Sequence, residues 1–140
     1  MVRGAIWFRS DLRTDDNPAL LDAINSCKEV IGIYIFSSNQ WALHNESNIK
    51  HEFLLNNLKK LEKSLNKLNI PLIAINTESF KSLHTDLSSL ATKHSIEHVF
   101  WNKEFGVNEV GRDKNVFESL EKINVPSSSH HDQVIYEPSF

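Results

Sequence analysis

Hydrophobic positions along this 140-residue chain alternate between two patterns. Short, nearly continuous apolar runs recur at residues 4–8, 30–36, 71–76 and 98–101, with a weaker one at 125–131, and such runs read as buried strands. The second, Val30-Ile-Gly-Ile-Tyr-Ile-Phe36, is almost wholly β-branched or aromatic and is the firmest strand of the set. Between these runs the apolar residues take helical spacing. Leu20, Leu21, Ala23 and Ile24 supply the face expected for a first helix over residues 19–26, with Asn17 as its N-cap and Pro18 at its first position. Leu54, Leu58, Leu61, Leu65 and Leu68 form a narrow stripe on a second helix capped by Ser47, which packing on a sheet explains better than a coiled-coil partner. Phe80, Leu83, Leu87, Leu90 and Ala91 mark a third, and residues 107–123 a fourth, with Val110, Phe117 and Leu120 expected inward. Val134-Ile-Tyr-Glu-Pro138 reads as an exit segment.

Strands joined by single helices run parallel with right-handed crossovers, so helices cover both faces of the sheet. The expected fold is α/β, a Rossmann-like three-layer sandwich around a five-stranded parallel sheet, with residues 1–140 forming one domain. Ligands in such folds sit beyond the carboxyl ends of the strands. The loops over residues 9–16, 37–45 and 102–108 are therefore the places to look for chemistry.

Composition narrows the choice. The hydrophobic fraction of 40% and charged fraction of 24% belong to a globular protein. No apolar run approaches the length of a membrane span, and residues 1–8 enter a strand pattern without a signal-peptide layout. A single cysteine, Cys27, excludes an internal disulfide framework and fits a reducing, cytoplasmic setting; at a helix end with no base nearby, it reads as inert. The net charge is -3 with both signs interspersed, so the basic stripe of a free-standing DNA binder is missing. Only four glycines occur, none arranged as G-x-G-x-x-G after the first strand, which argues against a dinucleotide. His130-His131-Asp132 and the pair His94 and His98 lack the companions and geometry of a metal site.

Three loops carry the polar chemistry. The first holds Arg9, Asp11, Arg13, Asp15 and Asp16, whose alternating charges can brace the loop against the helix start. Its arginine forks could also grip a neighbouring domain by bidentate pairs. The second, Gln40-Trp-Ala-Leu-His-Asn45, offers a stacking surface in Trp41 and a hydrogen-bonding ring in His44. The third, Asn102-Lys-Glu-Phe-Gly-Val-Asn-Glu109, brings Asn108 and Glu109 to a helix entrance. A carboxylate beside an amide suits a pterin or guanine edge, because Glu accepts from ring N–H groups while Asn both donates and accepts. The same pair also reads as a cap with a dipole-favoured acid.

The segments Trp7-Phe-Arg-Ser-Asp-Leu-Arg-Thr-Asp-Asp-Asn-Pro-Ala-Leu20, Gln40 to Asn45, and Phe100-Trp-Asn-Lys-Glu-Phe-Gly-Val-Asn-Glu-Val-Gly-Arg-Asp113 together resemble the amino-terminal α/β domain of the DNA photolyase/cryptochrome family. The resemblance extends over the whole chain and is strongest to bacterial folate-type cyclobutane-pyrimidine-dimer photolyases. It implies that His44, Asn108 and Glu109 contact an antenna, 5,10-methenyltetrahydrofolate. It further implies that excitation passes to a reduced FAD in a separate helical domain, which repairs pyrimidine dimers in UV-damaged DNA. That flavin domain lies outside these 140 residues, so the chain is expected to be an antenna half without catalysis or membrane association. With one wall of the family's folate cleft belonging to the other domain, weak folate binding is expected in isolation. Three alternatives stay open: a cryptochrome-like photosensory fragment, a stand-alone pterin- or nucleotide-binding module, and a non-functional truncated remnant.

Overall fold

Five parallel strands and, among the described residues, four helices alternate along the chain: β1 (Arg3–Phe8), α1 (Pro18–Ser26), β2 (Glu29–Ser37), α2 (Asn48–Asn66), β3 (Leu72–Thr77), α3 (Leu83–Lys93), β4 (His98–Asn102), α4 (Val107–Lys122) and β5 (Ser127–His130). The computed structural model describes residues 3–37, 48–77 and 82–131. The expected Ser47 cap, Phe80 and the exit segment from Val134 fall outside them.

The strand order is β3-β2-β1-β4-β5. β1 is therefore central, and the chain reverses its direction of travel across the sheet when it passes from β3 to β4. On one face Ile6, Phe8 and Phe100 pack with Ala19, Leu20 and Ala23 of α1 and Leu61 and Leu65 of α2. On the other, Ala5, Trp7, Val99 and Trp101 pack with Leu83, Leu87 and Leu90 of α3 and Val116 and Leu120 of α4. The alternation of β1 is thus read by both layers, which is why its residues from Gly4 to Phe8 are all buried. Trp7 and Trp101 meet edge to face with ring centroids 5.6 Å apart. Both are core residues, as the sequence predicted. Cys27 is buried too, and burial pushes its thiol pKa up, which disfavours the thiolate.

Helix ends follow from local chemistry. Asn17 caps α1 by accepting from the Leu20 N–H at 3.1 Å, and Pro18 begins the helix. The other three helices share one kind of stop. Asn69, Ser95 and Asn124 each adopt positive φ (60°, 55° and 61°). The following residues, Ile70, Ile96 and Val125, then donate their N–H groups back to the carbonyls of Leu65, Ala91 and Leu120. All three are buried, so each stop also seats an apolar residue under the helix it ends.

The inward faces of two helices differ from the expectation. Leu21 is 61% exposed and Ile24 is also exposed, because α1 lies on the sheet through Ala19, Leu20 and Ala23, leaving the other two on its flank. In α4, Val110 and Phe117 are exposed while Val116 and Leu120 are buried. Its inward stripe runs Arg112, Asp113, Val116, Leu120, and the half nearest the strand ends is polar. A search for apolar residues at helical spacing selects the wrong stripe there. Leu68, the last leucine of the α2 pattern, lies past the helix end and is exposed. No helix among the described residues is long and apolar enough to cross a membrane.

Candidate functional site

The loops after β1 and β4 leave adjacent strands for opposite faces of the sheet, and the crevice between them is where such folds hold ligands. A polar network ties the two loops together. Asn102, the last residue of β4, donates from Nδ2 to Asp11 Oδ2 at 2.6 Å and to Asn17 Oδ1 at 2.8 Å. Its Oδ1 accepts from the Ala19 N–H at 3.1 Å. One buried amide thus joins β4, the first loop and the amino terminus of α1. Asp11 completes the loop by accepting from the Arg9 N–H at 2.9 Å. Burial raises the Asp11 pKa, against the opposing pull of its hydrogen bonds from Arg9 and Asn102 and the Arg9 charge.

Arg9 turns across the sheet toward α4. Its side chain, 6% exposed, donates from Nη1 to Asp113 Oδ1 at 2.7 Å and from Nη2 to the Asn102 carbonyl. Its Nε also lies 3.8 Å from Glu104 Oε1, and Arg112 reaches both acids from its own helix, with Nη2 2.6 Å from Glu104 Oε1 and Nε 3.2 Å from Asp113 Oδ1. Ser10 donates to the other Glu104 oxygen at 2.6 Å. Both guanidiniums also lie over the Trp7 ring, 4.4 Å and 5.2 Å from its centroid. Burial would raise the Glu104 pKa, but hydrogen bonds from Ser10 and Arg112 and the charges of Arg9 and Arg112 outweigh it and lower the pKa. Two arginines and two carboxylates therefore neutralise one another.

The first loop braces the fold as the sequence suggested, although the carboxylate that pairs with Arg9 comes from far along the chain. Arg9 pairs with Asp113 across 104 residues of chain, while Asp15 and Asp16 are exposed. Arg13 donates to the carbonyls of Asp15 and Asp16 and so closes the loop on itself.

Above this network opens a cleft of about 580 Å³, within the range of small-molecule sites. Its floor is Trp7, Phe8 and Arg9, and one wall is the end of β2 from Tyr34 to Ser37. Phe53, Leu54 and Asn57 of α2 stand on one side, and Glu104, Glu109 and Arg112 on another. Tyr34 and Phe36 meet edge to face at 5.0 Å. Burial, reinforced by the Glu104 charge, pushes the Tyr34 pKa up to about 12, so its hydroxyl stays protonated.

The residues singled out in the sequence divide here. Glu109, in the first turn of α4, lines the cleft. Asn108 is exposed and is not among the lining residues. His44 and Trp41 lie outside the described residues. Glu109 is in no ion pair among the described residues, unlike Glu104 beside it. Tyr34, Phe36, Phe53 and Arg112 line the cleft without having been singled out. Arg112 was detectable in principle, being three residues after Glu109 on the same helical face. The aromatic residues were not, since a strand end and a helix start must first be folded together. Elsewhere, His130 Nε2 is 2.8 Å from Asp22, His131 stacks on Phe105, and His94 ends α3. No metal-binding cluster of three or more His, Cys, Asp or Glu forms among the described residues.

The doubly wound parallel sheet, with a cleft at its strand ends and a sequence that has no G-x-G-x-x-G after β1, defines a Rossmann-like α/β domain outside the classical dinucleotide group. The family model for DNA photolyase matches residues 5–139, and the chain belongs to that family. It is 34% identical over 139 residues to the deoxyribodipyrimidine photo-lyase of Escherichia coli (strain K12), an alignment covering 99% of this chain and 29% of that relative. The chain thus spans less than a third of that relative's length, corresponding to its amino-terminal portion. Among solved structures, the bacterial class III photolyase from Agrobacterium tumefaciens superposes with a TM-score of 0.74 at 25% identity, covering 97% of this chain and 27% of that one. An archaeal photolyase from Sulfolobus tokodaii, solved with two FAD molecules, shares the fold with a TM-score of 0.79 at 22% identity, covering 97% and 31%.

Proposed function

We propose that this chain is the antenna domain of a deoxyribodipyrimidine photolyase and that its cleft takes the pterin end of 5,10-methenyltetrahydrofolate. The observation that carries this reading is the charge balance of the cleft. Arg9 and Arg112 are committed to Glu104 and Asp113, and the Glu109 carboxylate lines the cleft outside that set. A phosphate would have to take an arginine from its carboxylate, leaving that acid poorly compensated. A heterocycle edge rich in N–H groups needs only an acceptor, which Glu109 supplies. The aromatic rings of Tyr34, Phe36 and Phe53 give a flat ring something to pack against. On this reading Asn108 and His44 add contacts from the rim.

Bound there, the folate would supply absorption of near-ultraviolet or blue light for use by the FAD of the complete protein. The residues of this chain bind and orient; they exchange no proton or electron with the chromophore. FAD and UV-damaged DNA belong, on this reading, to the helical domain that makes up the rest of the longer relatives. Repair of pyrimidine dimers is then an activity of the complete protein.

The test is a titration of the chain with 5,10-methenyltetrahydrofolate, followed by absorbance and by amide chemical shifts, which reach millimolar affinities. Shifts should cluster on the ends of β1 and β2 and the first turn of α4. Glu109→Gln should weaken binding by about tenfold, the effect of losing a charge-assisted hydrogen bond. An unchanged affinity in Glu109→Gln, or shifts elsewhere on the surface, would overturn the assignment.

A further inference from the structure

Gly106 is the N-cap of α4, a position where Ser, Thr, Asp or Asn would bond a free helical N–H better. Its backbone gives no reason for glycine, because φ is -63° and ψ is 154°, a conformation open to any L-residue. Space gives the reason. A Cβ on Gly106 would overlap Glu109 Oε2 and stand 2.9 Å from Glu109 Cδ and 3.5 Å from Oε1. All three of the nearest atoms belong to that one carboxylate. Glu109, three residues into the helix, folds back over the helix entrance and occupies the volume a side chain at position 106 would fill.

We propose that Gly106 is a positioning residue for the cleft: by lacking a side chain it lets the Glu109 carboxylate lean over the amino terminus of α4 into the ligand space. This rests on the reading of Glu109 as the ligand-facing acceptor. A Cβ at 106 meets only the end of a flexible side chain, so the carboxylate swings aside while the helix stays formed. The loss is one of aim rather than of fold. Gly111, five residues further along, is the natural control, since a Cβ there meets nothing within 4 Å.

The experiment compares Gly106→Ser, Gly111→Ala, Glu109→Gln and the Gly106→Ser/Glu109→Gln double variant in the full chain. Serine adds the Cβ while improving the cap, so Gly106→Ser should keep or raise the melting temperature, and Gly111→Ala should raise it. Nuclear Overhauser contacts between the Glu109 γ protons and the residue-106 α protons should be present in the parent and in Gly111→Ala and lost in Gly106→Ser. The dissociation constant for 5,10-methenyltetrahydrofolate should rise about tenfold in Gly106→Ser, as in Glu109→Gln, and no further in the double variant. Retained contacts in Gly106→Ser, or losses that multiply in the double variant, would overturn the role of Gly106. If the parent binds no folate, the functional reading fails, and the proton contacts alone then decide whether position 106 steers Glu109.

Discussion

At the scale of single residues, the fold depends most on side chains that bridge its two central loops. Arg9 is buried between Asp113 and Glu104, so replacing it with methionine leaves Arg112 to face both acids and one of the two carboxylates uncompensated. Arg9→Met should cost about 3–5 kcal/mol, read as a lowered denaturant midpoint, whereas reversing a pair at the surface costs about 1 kcal/mol or less. Asn102→Ala removes the partner of Asp11, Asn17 and the Ala19 N–H together, and about 2–4 kcal/mol should be lost. Glu104, partly buried, and Asp11, buried, respond oppositely to pH. Glu104 has a depressed folded pKa, so its contribution is present above the unfolded value and disappears as pH falls through the folded one. Asp11 has a raised folded pKa, so its contribution is full below the unfolded value and is lost as pH rises through the folded one. Glu104→Gln should therefore be destabilising at pH 7, with the difference from the parent shrinking as the pH falls below the ordinary glutamate range. Urea melts at a series of pH values would show it.

At the scale of elements, the sequence displayed the helices well and their orientations unevenly. The repeated stop at Asn69, Ser95 and Asn124 uses a left-handed residue followed by a buried apolar one. Asparagine tolerates that conformation, whereas serine at position 95 is strained there. Ser95→Gly should raise stability by about 0.5–1 kcal/mol, visible as a higher melting temperature. Helix α4 shows why orientation was harder to read. Val110 and Phe117 look like core residues, yet the stripe that meets the sheet carries Arg112 and Asp113 at its upper end because those side chains reach Arg9 and Glu104. Leu120→Ala should cost about 2–5 kcal/mol, while Phe117→Ser, at a position 43% exposed, should cost under about 1 kcal/mol. A reversal of that order would mean that α4 packs through its other face.

At the scale of the molecule, the alternation of apolar runs with helical stripes was enough to derive a five-stranded parallel α/β sandwich, because a strand–helix–strand unit has one favourable handedness. The motifs around Trp7–Leu20 and Phe100–Asp113 were enough for the family, and the capping signals of Asn17 and Pro18 for the start of α1. The place of Glu109 at a helix entrance was legible in one dimension, whereas its reading as a folate contact came from the family resemblance alone. The tertiary structure decided which charges cancel. Arg9 and Asp113 are 104 residues apart, and nothing local couples them; only the crossing from β3 to β4 beside β1 lays the two loops together. It decided likewise that Tyr34, Phe36 and Phe53 wall a cleft, and that Gly106 stands empty beneath Glu109. Periodicity and capping are short-range, written in the order of residues. Charge compensation and cavity shape are properties of surfaces that meet only after the chain has folded.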